Sequence, residues 1–431
     1  MATITSTNTP VSTTQNDGNL NHNVSLVILT SLFFMWGFVT CLNDILIPHL
    51  KNVFSLSYTQ AMLIQFCFFT AYAVMSLPSA KLIEKIGYKH GIVAGLIVAG
   101  LGCLMFYPAA SMQSYPVFLA ALFVLASGIT CLQVSANPYV TALGKKETAS
   151  SRLILTQFFN AFGTTVAPYF GGLLILSGVA IGVEELAMMS EAEQAAHRLA
   201  EAEAVQIPYV GLAISWFVLA AIFVCLKLPT IDTIEGNDVV DSNVKSAWKF
   251  PHLTLGAIGI FLYVGAEVSI GSFLINFFGE ENILAMPEAE AAHYIMFYWG
   301  GAMVGRFIGI FLTRVVAANK LLGFNGIASV ALILTAMFTD GYTAAAAILA
   351  VGLCNSIMFP TIFSLGVADL GKATSQGSGI LCMAIVGGAL IPLLQGVLAD
   401  TIGIQLGFIL PAACYVFIAY YGYKGALIRK A

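Results

Sequence analysis

Charge is what this sequence has least of. Only 9% of its 431 residues are Asp, Glu, Lys or Arg, against roughly a quarter in soluble domains, which excludes a water-exposed surface over most of the chain. The eight cysteines show no metal-ligand or disulfide-framework spacing. Cys41, Cys67, Cys103, Cys131, Cys225, Cys354, Cys382 and Cys414 all fall in apolar stretches and read as small core residues. Zincin motif, phosphate-cradling glycine loop and nucleophile elbow are missing, so the chain has no equipment for an enzyme, and no cofactor or nucleic-acid partner is expected. A filter-like segment, as a channel needs, is missing too. The first 24 residues are polar and lack the basic-then-apolar order of a signal peptide; they read as a disordered cytoplasmic tail.

What is present is long apolar runs. Hydrophobic residues make up 58% of the chain, and a helix needs about 20 such residues to cross the hydrocarbon core. Twelve runs meet that need, at approximately 26–50, 61–82, 91–110, 117–143, 153–178, 207–228, 252–278, 292–313, 320–338, 342–365, 376–398 and 404–421; they are numbered spans 1 to 12 below. Continuous blocks exclude a β-barrel, whose strands alternate over ~10 residues. The fold class is therefore an all-α membrane protein.

Positive charge fixes the orientation. With the N-terminus in the cytoplasm, fifteen of the 18 lysines and arginines fall in cytoplasmic loops or the C-terminal tail, among them Lys85, Lys146, Arg314, Lys372 and Lys430. Lys51 and Arg198 lie outside, and Arg306 lies within span 8. Both termini are accordingly expected in the cytoplasm, in a bacterial inner membrane.

The chain also repeats itself. Pro138-x5-Gly144 at the end of span 4 matches Pro360-x5-Gly366 at the end of span 10, at an offset of 222. Gly163-x4-Pro168-x3-Gly172 in span 5 matches Gly387-x4-Pro392-x3-Gly396 in span 11 at 224, and Phe38 to Leu50 aligns with Phe261 to Phe273 at 223. Matches at nearly one offset indicate two pseudo-symmetric six-helix bundles in parallel, residues 25–228 and 251–431, joined by a polar cytoplasmic linker at 229–250. Between spans 5 and 6, 178–206 is an outward-facing acidic segment with a Ser190-x-x-Glu193 capping box, which predicts a short surface helix.

Carboxylates inside spans cost about 2.5–3.5 kcal/mol each and need a reason. Asp44 on span 1 and Glu267 on span 7 are the two that stand deep, at equivalent points of the repeat, and either suits cation uptake and release. Each also has the plain reading of a buried hydrogen-bond partner. Sugar hydroxyls pair with amides, which both donate and accept. Gln133 and Asn137 share a face of span 4, Gln157 and Asn160 a face of span 5, and Asn43, Asn276 and Asn355 add amides on spans 1, 7 and 10. Singly they read as interhelical glue; seven together favour a polar cavity. Trp36, Phe68, Tyr263, Tyr298, Trp299 and Phe359 are candidates to stack on a pyranose ring or simply to pack.

Leu42-Asn43-Asp44-Ile45-Leu46-Ile47-Pro48, Ala136-Asn137-Pro138-Tyr139-Val140 and Phe359-Pro360-Thr361-Ile362-Phe363-Ser364-Leu365-Gly366 resemble the fucose/galactose/glucose symporters of the major facilitator superfamily, with Tyr263-Val264-Gly265-Ala266 and Gly305-Arg306-Phe307 fitting as well. The loop Ala80-x3-Glu84-Lys85-x-Gly87-x-Lys89-His90 resembles a degenerate form of the superfamily's loop 2–3 signature. The resemblance covers nearly the whole chain. It implies the twelve-helix major facilitator fold and import of a neutral hexose, of glucose/galactose type, by cation symport, with the proton favoured over sodium. It further implies that Asp44 joins sugar recognition to coupling, that Gln157 and Asn160 occupy polar cavity positions, and that Arg306 belongs to structural clamping. Where fucose carriers have a helix 4 glutamate this chain has Gln133, and where they have a helix 7 glutamine it has Glu267, so the second carboxylate has changed helix. The expected binding set is Asn43, Asp44, Gln133, Asn137, Gln157, Asn160, Tyr263, Asn276 and Asn355, with Asp44 and Glu267 coupling the ion in a carrier that works as a monomer.

Two alternatives stand. Gly163-x3-Ala167-Pro168-x2-Gly171-Gly172 is one residue from a motif of antiporters, which suits an exporter, although small residues there also permit close packing and a kink. A membrane sensor or enzyme is the distant one.

Overall fold

The computed structural model describes residues 25–39, 58–143, 145–174, 190, 193, 206–226 and 246–427. Nine helical segments among these are long and apolar enough to cross a membrane. One of them, Phe66–Ser111, holds spans 2 and 3 folded at Gly87, and Ala149–Leu174 together with the shorter helix Ser25–Val39 supplies spans 5 and 1. Helices thus stand at all twelve expected spans, with the outer part of span 1 and the ends of spans 5 and 6 outside the described residues.

Local chemistry explains where they bend. The expected loop between spans 2 and 3 is a single break at Gly87, whose φ of 78° and ψ of 166° lie in a region that glycine enters without cost. Span 10, read from the sequence as continuous, is broken into Gly341–Asn355 and Met358–Gly366. Pro360 contributes to the break: it lacks an N–H for the carbonyl four residues back, and its ring crowds that carbonyl. Span 11 likewise passes from Thr374–Met383 through a 3₁₀ turn, Ala384–Val386, into Gly387–Ile402. Outside the membrane, Ser190 and Glu193 form the reciprocal capping box, with the Ser190 N–H and hydroxyl donating to Glu193 Oε2 at 2.9 and 2.7 Å. Those bonds from Ser190 hold the Glu193 carboxyl below its ordinary pKa, so the cap is complete at neutral pH and is lost as pH falls through that lowered value.

Spans 2, 3, 4 and 6 pack on one another, and spans 7 to 12 do the same. Glycines set the closest approaches in both bundles. A Cβ on Gly163 of span 5 would stand 2.2 Å from the Phe34 carbonyl of span 1, and one on Gly387 of span 11 would stand 2.0 Å from the Phe261 carbonyl of span 7. Gly163 therefore lets two backbones touch, and its mate Gly387 does the same in the other bundle.

The bundles meet at the end expected in the cytoplasm. Ser151, opening span 5, donates to the Ile310 carbonyl of span 8 at 2.8 Å, and Ser375, opening span 11, donates to the Ala80 carbonyl of span 2 at 2.9 Å. These serines are 224 positions apart, the offset of the span 5/11 repeat, so one contact is made twice by pseudo-symmetry. Ser150 and Ser364 add a buried hydroxyl pair at 2.6 Å, and Arg314 Nε reaches Ser151 Oγ at 3.2 Å. Lys146 and Asp369 pair at 3.0 Å, but both are well exposed, and such a pair contributes under about 1 kcal/mol. The buried hydroxyls carry the closure. At about 1 kcal/mol per hydrogen bond, the Ser151→Ala/Ser375→Ala double variant is expected to shift the balance toward an open cytoplasmic end by roughly thirtyfold. Faster labelling of a cysteine introduced at Thr361 by a cytoplasmic maleimide measures it; an unchanged rate shows that the hydroxyls do not hold the bundles together.

Candidate functional site

The break in span 10 organises the polar interior of the second bundle. In a membrane an orphaned carbonyl has no water to turn to and must be satisfied by protein. At this break three successive carbonyls are met by three different helices. Asn325 Nδ2 on span 9 donates to Cys354 O at 2.9 Å, the Tyr263 hydroxyl on span 7 to Asn355 O at 3.2 Å, and Arg306 Nε on span 8 to Ser356 O at 3.2 Å. Ser356 O is the carbonyl that Pro360 leaves without its helical N–H.

Close packing of spans 8 and 10 makes those reaches short. Cβ atoms on Gly352, Gly305 and Gly309 would stand 2.1 Å from Tyr298 O, 2.4 Å from Ser356 Oγ and 2.3 Å from Ile357 Cγ2. Tyr298 is carried inward, fully buried. Its hydroxyl accepts from Asn355 Nδ2 at 2.8 Å and donates to the backbone carbonyl of Glu267 at 3.2 Å. Glu267 sits one turn beyond Tyr263 on span 7, half-buried, with Oε1 buried and without a hydrogen-bond partner. Arg306, Tyr263, Tyr298 and Tyr415 lie within electrostatic reach of its carboxyl. Among the described residues, three tyrosines and one guanidinium lie within electrostatic reach of this carboxyl.

The first bundle has no charge at the equivalent depth of span 4. Gln133 donates from Nε2 to the Tyr72 hydroxyl at 2.8 Å, while its Oε1 has no partner. One turn on, Asn137 is fully buried with both amide atoms unpartnered. Gln157 is buried, and Asn160 donates from Nδ2 to the Phe33 carbonyl of span 1 at 3.0 Å. Thr164, a turn further, reaches Gly37 O at 3.4 Å, so this face of span 5 lies along span 1.

Of the expected site residues, Gln133 and Asn137 share one buried face and Asn160 lies along span 1. Tyr263, Glu267 and Asn355 are brought together in the second bundle. Asn355 is fully buried behind Tyr298 and positions that ring rather than standing free for a ligand. Asn276 is exposed at the far end of span 7, apart from that cluster. Asn43 and Asp44 lie outside the described residues. Of the candidate rings, Trp299 is exposed and touches Gly271, whereas Trp36 and Tyr298 are buried. Tyr72, Asn325 and Tyr415 were not legible as site residues. A buried tyrosine looks like any core aromatic in sequence, and only the break in span 10 shows what Asn325 has to satisfy.

Comparison with known proteins agrees with this architecture. The family model described as Major Facilitator Superfamily matches residues 27–385. The chain is 56% identical over 426 residues to a protein named glucose/galactose transporter from Brucella abortus, covering 99% of this chain and all of that one. It is 34% identical to the L-fucose-proton symporter of Escherichia coli, covering 92% of this chain and 91% of the relative. Among solved structures it superposes on the major facilitator transporter FucP in the outward conformation, with a TM-score of 0.86 at 33% identity, over 93% of this chain and 98% of the other.

Tyr298→Phe removes the hydroxyl that joins Asn355 to the Glu267 carbonyl and leaves a buried amide unpaired, at a cost of about 1–3 kcal/mol. Thermal unfolding in detergent is expected to shift downward for Tyr298→Phe and to stay put for Trp299→Phe, whose ring is exposed. Equal midpoints for all three proteins contradict the assigned bonding.

Proposed function

The chain belongs to the Major Facilitator Superfamily, and on that premise we propose that it imports a neutral hexose of glucose/galactose type by cation symport, with the proton favoured over sodium. The observation that carries this reading is Glu267: a carboxyl in the middle of a membrane span, with one buried oxygen lacking a hydrogen-bond partner and hydroxyls around it. Leaving such a group unpaired is costly in lipid, and a cation that binds during transport satisfies it. The Brucella abortus relative supports the sugar class by its name, and the Escherichia coli relative supports the proton.

The sugar site in this reading lies between the bundles. Gln133, Asn137, Gln157 and Asn160 present amides from the first, Tyr263 and Asn276 contribute from the second, and Asn43 and Asp44 complete it on span 1. Asn355 acts through Tyr298. Buried serine contacts at the cytoplasmic end and likeness to an outward conformation support an outward-facing state. Rocking of residues 25–228 against 251–431, about a linker at 229–250, gives alternating access. The reading also takes the chain as a monomer of the bacterial inner membrane, with both termini cytoplasmic and no cofactor. Gly163, the first residue of the motif that suits an exporter in sequence, packs closely on span 1, which supports the packing reading of that residue.

Uptake into proteoliposomes of a labelled hexose panel, under separately imposed proton and sodium gradients, tests substrate and ion together. Glu267→Gln is expected to abolish accumulation above equilibrium while sparing sugar exchange at half the wild-type rate or more. Concentrative uptake at wild-type level in Glu267→Gln removes Glu267 from coupling.

A further inference from the structure

We propose that Asn137 is a hydroxyl-binding position that opens only toward the cytoplasm: shut away and unpaired in this state, its amide is met by water or by a hydroxyl of the departing hexose when the bundles part. The proposal rests on the import reading above and deepens it, placing Asn137 in the inward-facing part of the sugar path.

Asn137 lies on span 4 immediately before Pro138, fully buried, and neither its Oδ1 nor its Nδ2 has a hydrogen-bond partner among the described residues. Three helices surround it. Gln133, one turn back, reaches Tyr72 on span 2 at 2.8 Å, and the Val134 carbonyl, three residues back, accepts from Ser378 on span 11 at 2.9 Å. At about 100° per residue the Asn137 side chain stands within about 60° of both residues, so it faces the junction of spans 2 and 11. Those two helices are tight against each other at this level. A Cβ on Gly379 would stand 3.0 Å from the Ser76 carbonyl, and Ser375 donates to the Ala80 carbonyl at 2.9 Å. Span 11 belongs to the second bundle, so the wall that covers Asn137 is the one that leaves when the cytoplasmic end opens.

The fold itself does not call for an amide at this position. Its mate at the offset of 222 is Phe359, half-buried beside Phe363 with ring centroids 6.0 Å apart. A buried amide without a partner destabilises the state that encloses it, and here that is the closed state alone. Opening reverses the sign. Water enters, Ser378 withdraws from Val134 O, and that carbonyl is left three residues from the Asn137 amide on the same helix. An acceptor beside a group that both donates and accepts suits adjacent hydroxyls of a hexose as well as it suits water. Asn137 therefore opposes the serine contacts of the closure, and the closed state is held less firmly than those contacts alone would hold it.

The test combines Asn137→Leu, which keeps the branched shape but removes the hydrogen-bonding atoms, with cytoplasmic maleimide labelling of a cysteine at Thr361, a fully buried position of span 10. Labelling is expected to slow by about fivefold or more, with a thermal midpoint equal to or above that of wild type. Unchanged or faster labelling, or a lowered midpoint, makes Asn137 a structural residue of the closed state and overturns the proposal. If the larger leucine does not fold, Asn137→Ala adds no bulk and carries the same expectation for labelling; faster labelling, or failure of both variants to fold, overturns it. Monodeoxy hexoses presented from the cytoplasmic side of inside-out proteoliposomes then identify the hydroxyl. A shift of the closure alone changes the half-saturating concentration of every sugar by one factor. If the hexose pairs with Asn137, one monodeoxy analogue that binds weakly to wild type loses that disadvantage in Asn137→Leu; if water is the partner, none does, and both results stand within the proposal. A wild type that carries no hexose refutes the import reading, whereas labelling and midpoint judge Asn137 without any transport.

Discussion

The interior of this protein is governed by the absence of water around its backbone. A carbonyl left without its helical donor in lipid has to be met by a side chain, and Pro360 creates such a carbonyl at Ser356. The partners gathered at that break are Asn325, Tyr263 and Arg306, drawn from three helices. With them come the Asn355–Tyr298 pair and the carboxyl of Glu267. The carbonyl freed by one proline thus lies at the centre of a polar cluster drawn from several helices.

The equivalent proline of the first bundle is put to a different use. Pro138 frees the carbonyl of Val134, the mate of Ser356 at the same offset of 222. Its donor is the hydroxyl of Ser378, on span 11 of the opposite bundle, at 2.9 Å. In one bundle the freed carbonyl accepts from a guanidinium of the same bundle; in the other it accepts from a hydroxyl of the opposite bundle. Pseudo-symmetry supplied the same defect twice, and the residue opposite each defect decided whether it serves charge or closure.

Much of the fold was legible in the sequence because its constraints are repetitive. Twenty-residue apolar runs and Pro-x5-Gly repeated at 222 are signals that survive without tertiary information. The site was legible in part. Glu267 stands out because a carboxylate in a span is expensive, and the Ser190–Glu193 box because its spacing alone defines its bonds. Asn355 was readable as a buried amide but not as the residue that positions Tyr298, because spacing on one helix does not say which neighbour faces it. Arg306 read as a structural clamp, since the carbonyl it holds exists only once span 10 has broken. The break itself follows from Pro360 but is not dictated by it: Pro138, in the same repeat, leaves its helix continuous from Tyr115 to Ala142.

The central claim is that sugar and cation cross together, with Glu267 carrying the cation. The most direct measurement is cation movement driven by sugar alone. Adding a transported hexose to the outside of de-energised proteoliposomes containing the wild-type protein should move protons inward and raise the external pH, in fixed proportion to the sugar taken up, and Glu267→Gln should take up sugar to equilibrium with no such change. Sugar entry by the wild type with neither proton nor sodium movement contradicts the account.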